Sequence, residues 1–161
     1  MSYKYILLPL IFLMYSFSLS NKHYVRIYHD NGSLKAKGWV KNERKIDYWF
    51  EYNFSGQLIA QGNYSKDVKE GYWYLYESKQ FDAAEGYYND GEKTGWWVIY
   101  INPEEYTKTQ YINGLKHGIS LYYKEGKSFP YKADRFIKGE YKGTWTSLRQ
   151  FKKDNPDFEI K

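Results

Sequence analysis

The side chains that could move a proton or hold a metal are few, and their spacing does not suit the task. His23 and His29 lie near the start, and His117 stands alone before a glycine. The chain has no cysteine, which excludes disulfides, thiolate zinc sites and a cysteine nucleophile. Glu70, Glu85, Asp90 and Glu92 fall beside turn signals or strand ends, where a carboxylate is most simply a solvated edge charge. There is no glycine-rich phosphate loop followed by Lys-Ser or Lys-Thr, no His-Glu-x-x-His and no Gly-x-Ser-x-Gly. The expectation is a non-enzymatic protein with no catalytic residue, metal ligand or cofactor.

What the chain has instead is aromatic rings in register. It carries 20 Tyr, 9 Phe and 6 Trp among 161 residues, too many for a disordered chain. Trp49, Trp73, Trp97 and Trp145 fall in one column, and Leu75 and Ile99 follow two of them at the next alternate position. Rings so placed can stack on a partner, because they offer large area at small entropic cost. These six residues are the expected interaction face. A protein partner is favoured, with a glycan or an anionic lipid surface as alternatives. The lysines near turns, Lys41, Lys66, Lys93, Lys116, Lys138 and Lys142, either meet lipid headgroups or simply protect a sheet edge. The formal net charge is +5, but 19 acids are mixed with 24 bases, so no nucleic-acid partner is expected.

The elements that must carry these rings are strands. Residues 47–52, 71–76, 95–100, 118–123 and 143–148 share one pattern, at steps of 24, 24, 23 and 25 residues. Nine residues upstream run Gly38, Gly62, Gly86, Thr109 and Asp134. Glu43, Asp67, Gly91, Gly114 and Gly139 mark a turn in each unit. Columns kept in register over five units predict a repeat array. Asp90-Gly91 and Asn113-Gly114 tolerate the positive φ of tight hairpins, so each unit reads as a β-hairpin. The fold class is therefore all-β, with the array over residues 24–148. Its structural glycines are Gly38, Gly62, Gly71, Gly86, Gly91, Gly95, Gly114, Gly118, Gly139 and Gly143. The glycine columns are expected beside the rings, where a missing side chain lets a ring lie flat over backbone. One strand parity (Tyr48, Phe50, Tyr52, Tyr72, Tyr74, Tyr76, Trp96, Val98, Tyr100) is almost wholly apolar and is assigned to the packed side. The mixed parity bearing the Trp column is assigned to the partner.

The runs Gly62-Asn63-Tyr64 to Gly71-Tyr72-Trp73-Tyr74-Leu75-Tyr76 and Gly86-Tyr87-Tyr88-Asn89-Asp90-Gly91 to Gly95-Trp96-Trp97 resemble the MORN-variant repeat. Tyr28-His29-Asp30-Asn31-Gly32 and Tyr111-Ile112-Asn113-Gly114 fit it as well, and the resemblance covers about residues 27–148. Asp47 stands where the motif has glycine, and Ser120 where it has Trp. The resemblance implies an elongated, single-layer antiparallel sheet of stacked hairpins. It also implies a module for protein contact or membrane proximity, or a YwqK-like antitoxin of a toxin–antitoxin system. Because the motif itself contains the Trp, the column can also belong to the fold's own packing. Choline- and glucan-binding cell-wall repeats have a similar period, but the glycine at each hairpin turn favours the MORN-variant pattern.

Residues 1–20 are a different kind of sequence. Lys4 precedes a nearly pure apolar run, and Ser16, Ser18 and Ser20 follow at alternating positions. That order is expected of a cleaved secretory signal peptide or a retained N-terminal anchor. The protein is thus expected to be exported: periplasmic, secreted or membrane-anchored. A cytosolic antitoxin would need no such leader. Residues 149–161 read as a charged, loosely ordered tail.

Overall fold

The computed structural model describes residues 21–76, 83–156 and 158. Among these residues eleven strands follow one another: β1 (Lys22–Tyr28), β2 (Leu34–Lys41), β3 (Arg44–Tyr52), β4 (Leu58–Ser65), β5 (Val68–Tyr76), β6 (Ala83–Asn89), β7 (Glu92–Asn102), β8 (Glu105–Ile112), β9 (Leu115–Lys124), β10 (Lys132–Ile137) and β11 (Glu140–Trp145). They make one open antiparallel sheet whose spatial order is the sequence order. The stacked hairpins are present as expected, with β1 as an extra strand ahead of the first. The leader at 1–20 lies outside the described residues.

The turns inside the units share one geometry. Both central residues have positive φ: 51° and 62° at Asn42-Glu43, 51° and 72° at Lys66-Asp67, 49° and 79° at Asp90-Gly91. Asn113-Gly114 and Lys138-Gly139 repeat it, with 49° and 73°, and 50° and 84°. This is the hairpin turn whose twist matches that of the strands. Each turn after the first also reaches back one unit. The amides of Asp67, Gly91, Gly114 and Gly139 donate to the carbonyls of Lys45, Lys69, Lys93 and Lys116, at 3.0, 3.0, 3.0 and 2.8 Å. Successive hairpins are thereby fixed to one another at the turn edge, and four lysines are held at equivalent places.

A bulge interrupts each hairpin just beyond its turn. Between β4 and β5, Asn63 pairs with Glu70 and Gly62 with Trp73, so Gly71 and Tyr72 face no residue of β4. The same happens at Gly95 and Trp96 between β6 and β7. The bulge residue has positive φ at Asp47 (55°), Gly71 (74°), Gly95 (66°) and Gly118 (100°). This column is glycine for its backbone and not for a ring: a Cβ at Gly71 or Gly95 would meet nothing within 4 Å. The expectation that both glycine columns bed the rings is corrected: it holds for the upstream one, and in the downstream one only for Gly143, where a Cβ would come within 2.7 Å of the Trp145 ring.

The last hairpin departs from the others. Between β10 and β11, Phe136 pairs with Tyr141 and Arg135 with Gly143, so only Lys142 is extra. One residue fewer in the bulge puts Trp145 on the opposite face from Trp49, Trp73 and Trp97. There it meets residues 148–156, which are not part of a loose tail of the kind expected from their charge. A short helix α1 (Leu148–Asp154) starts at the N-cap Ser147. Phe151 is buried and packs edge-on against Trp145 at 5.2 Å, while the Trp145 indole donates to Asp154 at 2.9 Å.

Candidate functional site

One row of side chains crosses the sheet. Trp49 pairs with Gly62, Gly62 with Trp73, Trp73 with Gly86, and Gly86 with Trp97. Large and absent side chains alternate strand by strand, so each indole has a flat bed of backbone. A Cβ at Gly38, Gly62 or Gly86 would come within 3.0 Å of the ring carbons of Trp49, Trp73 or Trp97. Each indole N–H donates to the carbonyl one residue past its glycine: Trp49 to Trp39 at 3.0 Å, Trp73 to Asn63 at 3.0 Å, Trp97 to Tyr87 at 3.1 Å. The bulge leaves those carbonyls available.

Tyrosines stand edge-on between the indoles. The chain Trp49–Tyr64–Trp73–Tyr88–Trp97–Tyr111 has centroid spacings of 6.1, 5.1, 6.0, 5.1 and 6.2 Å. Such edge contacts are worth about 0.5–1.5 kcal/mol each beyond area burial. Lysine arms close the top, with the ammoniums of Lys45, Lys69 and Lys93 at 4.5, 4.0 and 4.1 Å from the rings of Trp49, Trp73 and Trp97. The result is complete burial: all three indoles are 0% exposed in a sheet one layer thick. Leu75 and Ile99 lie half-buried on the same face.

The two faces are therefore the reverse of their assignment from apolar content. The Trp parity is packed, and Trp49, Trp73 and Trp97 present no ring to a partner. Trp145 is on the other side, so the four indoles do not form one column in space. The tyrosine-rich parity is the open one. Tyr48, Tyr74, Tyr87, Trp96 and Tyr100 are all exposed, from 36% at Tyr48 to 54% at Tyr87. Here large side chains occupy successive strands, no glycine offers a bed, and the rings stand up. Tyr72 and Tyr87 meet edge-on at 5.0 Å, and Tyr106 stacks on Tyr123 at 5.1 Å. Tyr72, Tyr87, Trp96, Val98, Lys108, Leu121 and Tyr123 line a shallow hollow on this face. Burial, then the carboxylate of Glu85, pushes the Tyr72 phenol up to about 12. It stays a neutral donor at any physiological pH.

The lysines read as turn-edge residues divide. Lys66 and Lys138 occupy turns, but Lys93 lies over Trp97, and Lys116 lies over Phe136 at 5.0 Å. The signal that could have found them is a column two residues past each of the first four turns: Lys45, Lys69, Lys93, Lys116.

Past Trp97 the row turns polar. Trp97 pairs with Thr109, Thr109 with Ser120, Ser120 with Asp134 and Asp134 with Thr144. Ser120 donates to Thr109 at 2.9 Å, and Asp134 accepts from both Tyr122 and Thr144. Lys132 completes the pairing at 3.8 Å. Burial, then that hydrogen bond to Asp134, holds the Tyr122 phenol well above its ordinary range. These groups satisfy one another, which suits a structural plug replacing the indole–glycine pair. Among the described residues, no group of three or more His, Asp or Glu side chains converges as a metal site would. No protein-family model matches the chain, and no curated protein matches it significantly.

Proposed function

We propose that this protein is a non-enzymatic interaction scaffold whose protein partner meets the open tyrosine face. The observation that carries this reading is the exposure of Tyr48, Tyr74, Tyr87, Trp96 and Tyr100 on one side of a continuous sheet. Exposed aromatic area of this kind is characteristic of interfaces, and tyrosine suits it because the ring packs while the hydroxyl stays wet. The rigid row beneath the opposite face keeps those rings at fixed spacing, so little ordering remains to be done on binding. The MORN-variant resemblance, and export directed by residues 1–20, belong to the same proposal: a contact module at or beyond the cell envelope.

Affinity capture from the source cell tests it. Trp96→Ala/Tyr74→Ala should lose the partner while keeping the buried-indole fluorescence of the wild type. Equal recovery by wild type and variant would remove the open face from the reading. A glycan, the second use for exposed rings, would instead bind in isothermal titration and perturb one or two rings. A protein should protect several hairpins in hydrogen exchange.

A further inference from the structure

On the opposite face, the first hairpin shows what the lysine row is shaped to hold. Glu51 accepts a hydrogen bond from the Tyr64 hydroxyl at 2.7 Å. It pairs with Lys45 at 3.1 Å and Lys69 at 3.8 Å. Burial alone would raise the Glu51 pKa, but Tyr64 and the two lysines outweigh it and hold the carboxyl below its ordinary value. The frame is thus two ammoniums and a phenol around one carboxylate.

The frame recurs without its carboxylate. Glu51 belongs to a row that runs through Ala60, Leu75, Ala84 and Ile99. One repeat on, the register gives Lys69, Tyr88 and Lys93 as the equivalents, with Leu75 in the place of Glu51 and Lys69 lying 5.6 Å from the Tyr88 ring. One further on, the equivalents are Lys93, Tyr111 and Lys116, with Ile99 in the place of Glu51 and Lys93 lying 5.4 Å from the Tyr111 ring. Among the described residues, neither Lys93 nor Lys116 has a carboxylate within ion-pair distance, and neither the Tyr88 nor the Tyr111 hydroxyl has a hydrogen-bond partner. Burial, then the ammoniums of Lys116 and Lys69, holds the Lys93 pKa below its ordinary value. Lys69 shares Glu51 with the first hairpin, but half-buried like charges such as Lys93 and Lys116, without a counter-charge, are costly, and an anion placed among them relieves the cost.

We propose that these two frames bind carboxylates of an acidic peptide segment, supplying from outside what Glu51 supplies from within. The spacing selects the peptide's form. Neighbouring frames are two strands apart, roughly 10 Å at about 4.8 Å per strand. A polyproline II segment repeats its side-chain direction every three residues, about 9.3 Å. An extended strand repeats it at about 7 Å, which does not fit. The expected ligand carries Glu at every third position. This site does not depend on the tyrosine-face reading, since it lies on the other side of the sheet.

Titrating the full chain with a (Glu-Pro-Pro)4 peptide at low salt, followed calorimetrically, tests it. Saturable binding is expected. Leu75→Glu, which fills a frame internally as Glu51 does, should weaken binding at least tenfold, whereas Leu75→Gln and the equal charge change Lys127→Gln should leave it within about threefold. Glu51→Leu should leave binding intact or strengthen it. Near-ultraviolet circular dichroism of the buried indoles reports whether each variant is folded. The proposal is overturned if folded Leu75→Glu binds like the wild type. It is equally overturned if a peptide of the same charge with adjacent glutamates binds as well, or if only anionic vesicles or polyuronates bind.

Discussion

Gly62 and Gly71 belong to one hairpin and are glycine for different reasons. At Gly62 the space of a Cβ is taken by the Trp73 ring; at Gly71 the space is empty and the φ of 74° is what favours glycine, although Asp47 tolerates 55° at the equivalent place. Gly62→Ala should therefore cost about 1–3 kcal/mol by overpacking and shift the Trp73 fluorescence. Gly71→Ala should cost about 1–2 kcal/mol of backbone strain and leave the indole spectra unchanged. Thermal denaturation with emission spectra separates the two. Trp97→Ala should cost about 3–5 kcal/mol, because the ring is wholly buried, while Tyr74→Ala stays near 0.5 kcal/mol. The glycine spacing made the bed under each ring legible from the sequence. The faces were misread because tyrosine counts as apolar in a strand pattern, yet its hydroxyl makes it comfortable in water. Which parity is packed was decided by which one alternates with glycine across strands, and that needs the register.

Glu51 makes the first hairpin sensitive to acid. Its folded pKa lies below the unfolded value, so the stability it contributes is fully present above about pH 4.5. That stability is lost as pH falls through the lower folded value. Acid titration of the melting temperature should show this loss in the wild type and a shallower one in Glu51→Gln.

At the scale of elements, the last hairpin and α1 act together. The bulge shortened to Lys142 turns Trp145 over, and Phe151 covers it. Phe151 is 3% exposed, so Phe151→Ala should cost about 3 kcal/mol and move Trp145 emission to the red. The hairpin count, turns and strand positions could be read from the 24-residue step. The helix could not, because its signal is one phenylalanine among charges, and its meaning depends on an indole that the column placed on the wrong side. A one-residue difference within a bulge leaves no mark in a pattern judged by spacing from the turn: Trp145 keeps the offset of Trp73 and loses its face.

For the whole molecule, the repeat makes stability a sum of units and the interfaces between them. Excising residues 39–62 joins Gly38 to Asn63, which keeps every downstream residue on its face. The shortened protein should fold with a lower melting temperature and intact indole burial. Excising residues 39–61 instead reverses the parity beyond the junction and should fold poorly, as circular dichroism will report. Spatial order equal to sequence order has a further consequence, for the rate at which the protein forms. Among the described residues no strand waits for a partner from the far end of the chain, so each closure is that of a short hairpin onto the one before. Folding should be fast for an all-β protein, and its rate should hardly change when a unit is removed. Such a chain should take on structure while it is still being made, which leaves any factor that must meet it extended only that interval in which to act.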